Sequence, residues 1–243
     1  FLNEVQYISQ KDDWNLVTED KLWLYNLHYF DDLNSFEGEL RYSWHKSLID
    51  LWINENPPGF GIGWDAYPTS LRIVNLIKWS LKRGDLNSEW LDSLATQVQH
   101  LSKNLETHLL GNHLFSNAKA LVFAGLFFKG NEAEEWYQAG LNIIQRELDE
   151  QVLSDGGNFE LSPMYHSIFL LDLLDLINIH LTFNKDEVIG LEQKIPLMLH
   201  WLKSMSHPDG GISFFNDAAF GVAPSFDELL EYAKKLDIKN IDR

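Results

Sequence analysis

Apolar residues recur at the spacing of an amphipathic helix through most of this chain, and this spacing limits the fold more than any other feature. The pattern is interrupted by residues typical of helix ends and helix starts, such as Gly84, Gly130 and Pro163. The predicted helices cover residues 40–54, 68–83, 88–109, 113–128, 132–151, 164–183 and 186–205. The best candidate strand is 212–215. We therefore expect an all-α chain with less than about a tenth of its residues in strands, where a typical domain has roughly 20–25%.

A weak internal repeat indicates how these helices are arranged. The tripeptide Asp-Gly-Gly follows two of the predicted long helices, at residues 155–157 and 209–211, with an aromatic residue shortly after each. The two copies are 54 residues apart, about the length of one helical hairpin with its loops. Stacked hairpins that curve into a ring bring their loops to one central cleft. We expect a single domain over residues 1–243, built as an incomplete α/α toroid of antiparallel helical hairpins.

The composition argues against several classes of partner. A chain of 243 residues with 45% hydrophobic content can bury a large core. Its formal net charge of −17 disfavours binding to nucleic acid or to an anionic membrane, which broad basic surfaces attract. No uninterrupted apolar run reaches the roughly 18 residues of a membrane span. The nine histidines show no tight ligand spacing, so we expect no metal and no cofactor.

The residues best suited to catalysis lie where loops run into predicted helices. Asn112 and His113 begin one helix, and Tyr165 lies in the first turn of another. An amide can polarise a carboxylate, an imidazole can take a proton and a phenol can relay one, which together suit general acid/base chemistry. A tyrosine serves as a base only if nearby positive charge lowers its pKa from about 10. The candidates for that charge are Arg72, Lys119, His113 and His166.

Each of these residues also has a purely structural interpretation. Asn112 suits a helix N-cap, and Tyr165 suits an amphipathic packing position. His166 suits a hydrogen-bonded buried imidazole, and His207, before a proline, suits a helix end. Trp64 and Tyr67 could stack on sugar rings or pack in the core. Arg72 lies within an apolar helix, where it could pair with a carboxylate such as Asp65 or Glu160 or bind a substrate.

Five motifs, in this order along the chain, resemble the heparinase II/III family of polysaccharide lyases, including its alginate-lyase-like members. They are LWLYNLHYF (22–30), GWDAYPTSLR (63–72), LLGNHLF (109–115), SPMYH (162–166) and HPDGG (207–211). The resemblance implies an N-terminal α/α toroid followed by a C-terminal antiparallel β-sandwich domain. We expect this chain to be a fragment that stops before the sandwich. Its active site would then be incomplete, because relatives take a further catalytic His or Tyr from the second domain.

The resemblance implies β-elimination at a uronic acid of an acidic polysaccharide. By the family pattern Asn112 polarises the C6 carboxylate, Tyr165 acts as the acid or as both base and acid, and His113 assists. The expected substrate-binding residues are Trp64, Tyr67, Arg72, Glu160, His166 and His207. Such an enzyme is expected to be periplasmic or secreted.

Two other functions remain open from the sequence. An α/α-toroid glycoside hydrolase would use two carboxylates, such as Glu160 and Asp217, on opposite sides of a cleft. The other alternative is a noncatalytic carbohydrate-binding module.

Overall fold

The computed structural model describes residues 1, 4–8, 10–16, 20–84, 86–108, 111–185 and 190–241. Within these ranges the chain is helical and forms no β-strand, which confirms the all-α prediction. The α-helices are α1 (Lys21–Tyr29), α2 (Tyr42–Glu55), α3 (Ala66–Arg83), α4 (Ser88–Lys103), α5 (Asn112–Phe127), α6 (Asn131–Gln151), α7 (Pro163–Thr182), α8 (Leu191–Ser204) and α9 (Phe226–Lys235). Short 3-10 turns occur at Lys11–Asn15, Asp31–Asn34, Gly38–Arg41 and Ile62–Trp64.

The seven helices predicted from periodicity correspond to α2–α8. Helix α4 ends at Lys103, and the predicted helical positions 109 and 186–189 lie outside the described residues. Helices α1 and α9 were not predicted, although Ser225 and Glu228 form a capping box that marks the start of α9. The predicted strand at 212–215 is wrong. Ile212 forms one isolated bridge, and the side chains of Phe214 and Phe215 are exposed, so this segment has no partner strand among the described residues.

The contacts of the chain divide it into two compact units. The first unit contains Phe1–His108 and Phe123–Tyr137, and the second contains Leu109–Val122 and Gln138–Arg243. In the first unit α3 packs against α1 and α4. Its core is rich in tryptophan, with Trp14, Trp52 and Trp79 almost completely buried. Buried aromatic rings supply much of the apolar area that stabilises a helical unit of this size.

Arg72 is a core residue of the first unit, which corrects the expectation that it binds substrate. Its guanidinium is fully buried and lies 3.9 Å from the centroid of the Trp52 ring. It donates to Gln97 Oε1 at 2.8 Å, to the His28 carbonyl at 3.1 Å and to the Gly63 carbonyl at 2.8 Å. Burial among these neutral acceptors lowers the pKa of Arg72 well below its usual range. The guanidinium therefore joins α1, α4 and the turn before α3.

Trp64 is also a core residue, whereas Tyr67 is only half-buried. The side chain of Trp64 is 4% exposed, and its ring lies 5.8 Å from that of Trp52. This burial corrects the expectation that Trp64 stacks on a sugar. Tyr67 contacts the rings of Tyr25 and Tyr29 at centroid distances of 6.5 and 5.9 Å. A contact between Tyr67 and substrate stays a prediction.

In the second unit α7 packs against α8 and α9. Lys119 of α5 donates to Asp172 and Asp175 of α7 at 2.7 and 2.6 Å, and Tyr232 of α9 donates to Asp175 at 3.1 Å. By length and composition α7 is the one described helix that could cross a membrane, but 67% of its apolar window is buried inside the protein. Such burial is typical of the core helix of a globular domain.

The Asp-Gly-Gly repeat has a structural counterpart in two equivalent loops of the second unit. The first loop is closed by a bridge between Val152 and Asn158, and the second by a bridge between Ser206 and Ile212. In each loop the aspartate accepts a hydrogen bond at 3.0 Å from the backbone N–H two residues later. The middle glycines, Gly156 and Gly210, have φ angles of 89° and 87°. Such angles favour glycine, which explains the repeated sequence.

The two middle glycines allow a matched test of this loop geometry. An alanine Cβ at Gly156 would lie 2.5 Å from the backbone of Leu197, whereas at Gly210 nothing lies within 4 Å. Gly210→Ala should therefore cost only the positive-φ penalty, about 1–2 kcal/mol of unfolding free energy. Gly156→Ala should cost a further ~1–3 kcal/mol through the clash. Urea unfolding of the two variants measures the difference, and equal losses would contradict the described packing at Gly156.

The Arg72 network makes a second stability prediction. Arg72→Lys should lower the free energy of unfolding by about 2–4 kcal/mol, because one ammonium cannot satisfy three separated buried acceptors. Arg83→Lys on the same helix is the matched control. The Arg83 side chain is part-exposed, and its Nη2 atom forms only a long ion pair, 3.9 Å from Glu39 Oε2. That change should stay within about 0.5 kcal/mol. Similar urea midpoints for the two variants would show that the Arg72 hydrogen bonds do not stabilise the fold.

Candidate active site

Tyr165 is positioned by the start of α7. Ser162 is the N-cap residue, and its hydroxyl oxygen accepts from the Tyr165 backbone N–H at 3.2 Å. Pro163 occupies the first turn, where its missing N–H and fixed φ suit a helix start. The Tyr165 side chain is half-buried, so its ring is supported while its hydroxyl faces the loops before α7 and after α8.

The segment that follows the second Asp-Gly-Gly loop is attached directly to the start of α7. Asn216 donates from its side-chain amide to the carbonyls of Glu160 and Leu161 at 3.2 and 2.9 Å. The Ser162 hydroxyl donates to the Asp217 carbonyl at 2.8 Å. These bonds hold the Asp217 carboxylate beside Tyr165, whose hydroxyl donates to Asp217 Oδ2 at 3.4 Å. We call this arrangement of Asn216, Asp217, Glu160, Leu161 and Ser162 the loop clasp.

Glu160 connects the loop clasp to Asn112. The backbone N–H of Asn112, the first residue of α5, donates to the Glu160 carboxylate. A carboxylate is stabilised at this position by the unpaired N–H groups and the positive end of the helix dipole. A Cβ at Gly111 would lie 3.0 Å from Glu160 Oε1, so glycine permits the approach. Gln151 donates to the carbonyl of Gly111, the residue before α5, at 3.3 Å.

The electrostatics of this cluster favour protonated forms. The pKa of Glu160 is raised chiefly by burial and also by the charge of Asp217, while the Asn112 N–H and His113 act in the opposite direction. Burial, followed by the charges of Asp217 and Glu160, raises the pKa of Tyr165. Tyr165 is therefore a phenol at physiological pH. The charges that act on Tyr165 in this structure are negative, so they oppose the lowered pKa that use as a base would require.

His166 lies in the core of the second unit, where its ring has no exposed surface that a substrate could contact. Its ring is fully buried and stacks on Trp201 at a centroid distance of 4.5 Å. Nδ1 accepts from the Asn158 backbone N–H at 3.2 Å, so Nε2 carries the proton and donates to the Met198 carbonyl at 3.0 Å. Burial lowers the pKa of His166 to about 4, which keeps the ring neutral. The structural interpretation of His166 replaces the predicted contact with substrate.

The structure brings four of the predicted site residues together and places the others elsewhere. Asn112, His113, Glu160 and Tyr165 lie in one cluster of the second unit, and all four are half-buried. His207 is exposed at the start of the second loop, where its backbone N–H donates to the Gly211 carbonyl at 2.7 Å. Within the described ranges no contact links His207 to the cluster. Trp64, Tyr67 and Arg72 belong to the first unit.

Sequence reasoning missed three residues that organise the cluster. Asn158 accepts from the Glu160 backbone N–H at 3.0 Å, Asn216 forms the loop clasp, and Gln151 holds Gly111. The sequence suggests Asp217 only as a carboxylate of a hydrolase. The 54-residue repeat is the sequence feature that could have indicated these residues. It predicts that the polar residues after both Asp-Gly-Gly loops occupy comparable positions.

The chain matches known proteins by sequence and by fold. Residues 41–235 match the family model described as the heparinase II/III N-terminus. A heparin-sulfate lyase from Bacteroides stercoris is 36% identical over 115 residues, covering 44% of this chain and 17% of the relative. A heparin-sulfate lyase from Pedobacter heparinus is 32% identical over 137 residues, covering 54% of this chain and 20% of the relative.

Solved structures of similar proteins agree on the fold. A heparinase III structure matches with a TM-score of 0.66 at 22% identity, covering 96% of this chain and 42% of that one. A heparan sulfate lyase from Pedobacter heparinus matches with a TM-score of 0.59 at 22% identity, covering 81% and 34%. The match to the two curated relatives spans about a fifth of their length. Because the family model covers well over half of its residues, this chain belongs to the heparinase II/III family, through the N-terminal helical domain of that family.

Proposed function

We propose that this chain is the helical part of a polysaccharide lyase that cleaves a uronic-acid-containing polysaccharide by β-elimination. The observation that carries the proposal is the cluster in which Glu160 connects the start of α5, at Asn112, to Tyr165 at the start of α7. An amide and a phenol held at adjoining helix starts supply two of the three functions that the elimination needs. Family membership supports the same reaction class.

Each step of the elimination has a candidate group. A base removes the C5 proton, the electron pair forms the C4–C5 double bond, and the C4–O4 bond breaks. The Asn112 side-chain amide would donate to the C6 carboxylate and stabilise the enediolate that develops. Tyr165 would give its proton to the departing O4, so the new chain end leaves as an alcohol. A protonated Tyr165 suits this acid role.

The base in this proposal is a group other than Tyr165. His113 directly follows Asn112, is half-buried and lies near Glu160, so it is the candidate within this chain. The family resemblance assigns a further His or Tyr to a C-terminal β-sandwich domain. We propose that such a domain of the same parent protein completes the site, and that the helical part alone is a poor catalyst. A second domain would also exclude water from the reacting centre.

The names of the relatives support a substrate of the heparan sulfate class. The two curated relatives described above are named heparin-sulfate lyases, and we propose a substrate of the same class with the uronic acid that this mechanism requires. The net charge of −17 favours a lightly sulfated polymer over a densely sulfated one, because dense sulfation calls for a broad basic surface. A periplasmic or secreted location fits such an extracellular polymer.

A second candidate function is glycoside hydrolysis by Glu160 and Asp217. The observation in its favour is that the charge of Asp217 helps to raise the pKa of Glu160, as in acid/base carboxylate pairs. The products distinguish the two reactions. Elimination produces an unsaturated uronate that absorbs in the near ultraviolet, whereas hydrolysis produces a new reducing end without that absorbance.

Tyr165→Phe in the parent protein tests the lyase proposal. The change removes the phenol oxygen and retains the packing of the ring, so kcat should fall by about 10²–10⁴ with little change in substrate binding. The assay is the initial rate of increase in near-ultraviolet absorbance on a lightly sulfated heparan-type polymer.

Asn112→Ala should lower kcat by a similar factor in the same assay, because the variant loses the amide that stabilises the enediolate.

Tyr137→Phe is the matched control for the loss of one phenol, since Tyr137 lies in α6 within the first unit. Its turnover should equal that of the unmodified parent. Parent-level turnover of the Tyr165→Phe variant would remove Tyr165 from the mechanism.

A further inference from the structure

We propose that Asp217 is a positioning residue for Tyr165: its carboxylate orients the phenol and keeps the phenol proton in place until the leaving oxygen accepts it. This inference rests on the proposed function and extends it to a residue that the sequence suggests only for hydrolysis. Asp217 itself would touch neither C5 nor O4. Its effect on the reaction would pass through Tyr165.

The geometry that carries the proposal is the loop clasp. Asp217 is exposed and follows a loop, and such a side chain is ordinarily free to move. Here its own backbone carbonyl accepts from Ser162, and the preceding Asn216 is bonded to two carbonyls of the other loop. Ser162 also caps α7 through the Tyr165 N–H. The same serine therefore fixes both the backbone of Tyr165 and the backbone of Asp217, which sets the distance between phenol and carboxylate.

A second observation is that, in the described part of the chain, no lysine or arginine pairs with this carboxylate. Among the described residues, Asp217 forms no ion pair, and the other carboxylate that acts on the Tyr165 phenol is that of Glu160. Lys119, the buried lysine of the second unit, is bound to Asp172 and Asp175. The negative charge of Asp217 therefore acts on Tyr165 without neutralisation by a lysine or arginine.

The proton path balances. In the free site the Tyr165 O–H donates to Asp217 Oδ2. When a glycosidic oxygen reaches the phenol, the O–H bond turns from Asp217 to O4. As the C4–O4 bond breaks, the proton moves to O4 and leaves a phenolate. The base that took the C5 proton returns one proton to the phenolate through solvent after the products leave. Asp217 stays a carboxylate throughout.

Two substitutions of Asp217 in the parent protein separate orientation from charge. Asp217→Asn keeps an oxygen acceptor for the phenol and removes the charge. It should retain most of kcat while the alkaline limb of the kcat profile moves to lower pH by about 1 unit, because the Tyr165 pKa falls when the negative charge is removed. Asp217→Ala removes the acceptor as well and should lower kcat by about 10-fold to 100-fold with little change in KM.

Asp227→Asn is the matched control for charge, since it removes one exposed carboxylate from the first turn of α9. Its kcat and its alkaline limb should equal those of the parent. Thermal unfolding of every variant checks that it folds. If Asp217→Ala does not fold, the proposal is tested by the alkaline limb of the Asp217→Asn variant.

The proposal is overturned if Asp217→Asn leaves the alkaline limb in place, whether or not kcat falls, because a merely structural role would do the same. The Tyr165→Phe variant distinguishes this failure from failure of the proposed function. If Tyr165→Phe is inactive and the Asp217→Asn limb is unmoved, the lyase assignment survives and the role of Asp217 does not.

Discussion

The hydrogen bonds of the loop clasp are the interaction on which the candidate site depends. Asn216 and Ser162 join the segments after the two Asp-Gly-Gly loops, and neither segment contains regular secondary structure that would hold it alone. Each hydrogen bond contributes only roughly 0.5–1.5 kcal/mol to the free energy of unfolding. Their main effect is to position side chains, because they bring the carboxylates of Glu160 and Asp217 close to the phenol of Tyr165. The two equivalent loops that follow long helices thereby also bring the residues of the candidate site together.

Support for the loop clasp extends into the core of the second unit through His166. The neutral imidazole joins the Met198 carbonyl of α8 to the backbone of Asn158, and Asn158 in turn accepts from the Glu160 N–H. Glu160 then holds the first residue of α5. A buried, uncharged histidine is suited to this role because it donates and accepts at fixed angles without the cost of burying a charge. The half-buried side chains of the candidate site are thus held by hydrogen-bonded neighbours.

The sequence predicted the helices better than the roles of individual polar residues. Periodicity identified α2–α8 because long amphipathic helices repeat their apolar face several times, whereas α1 and α9 have nine and ten residues and offer few repeats. The helix starts predicted near Asn112 and Tyr165 are confirmed, whereas the catalytic roles of these two residues stay predictions. Arg72 and His166 were misassigned because a polar side chain in an apolar helix looks the same whether it binds substrate or backbone carbonyls. The partners of these two side chains are the carbonyls of His28 and Met198, which belong to other helices. The local sequence pattern does not predict which carbonyls of other helices a side chain will meet.

The central claim is that two carboxylates converge on the Tyr165 phenol, and its titration tests that claim without any assay of turnover. The chain has eight tyrosines, so a ¹³Cζ-tyrosine-labelled sample gives few signals, and Tyr165→Phe assigns the one that matters. The account predicts that Tyr165 titrates above the ordinary value of about 10 and that Asp217→Asn lowers its pKa. A Tyr165 pKa at or below 10, or one that Asp217→Asn leaves unchanged, would contradict the account.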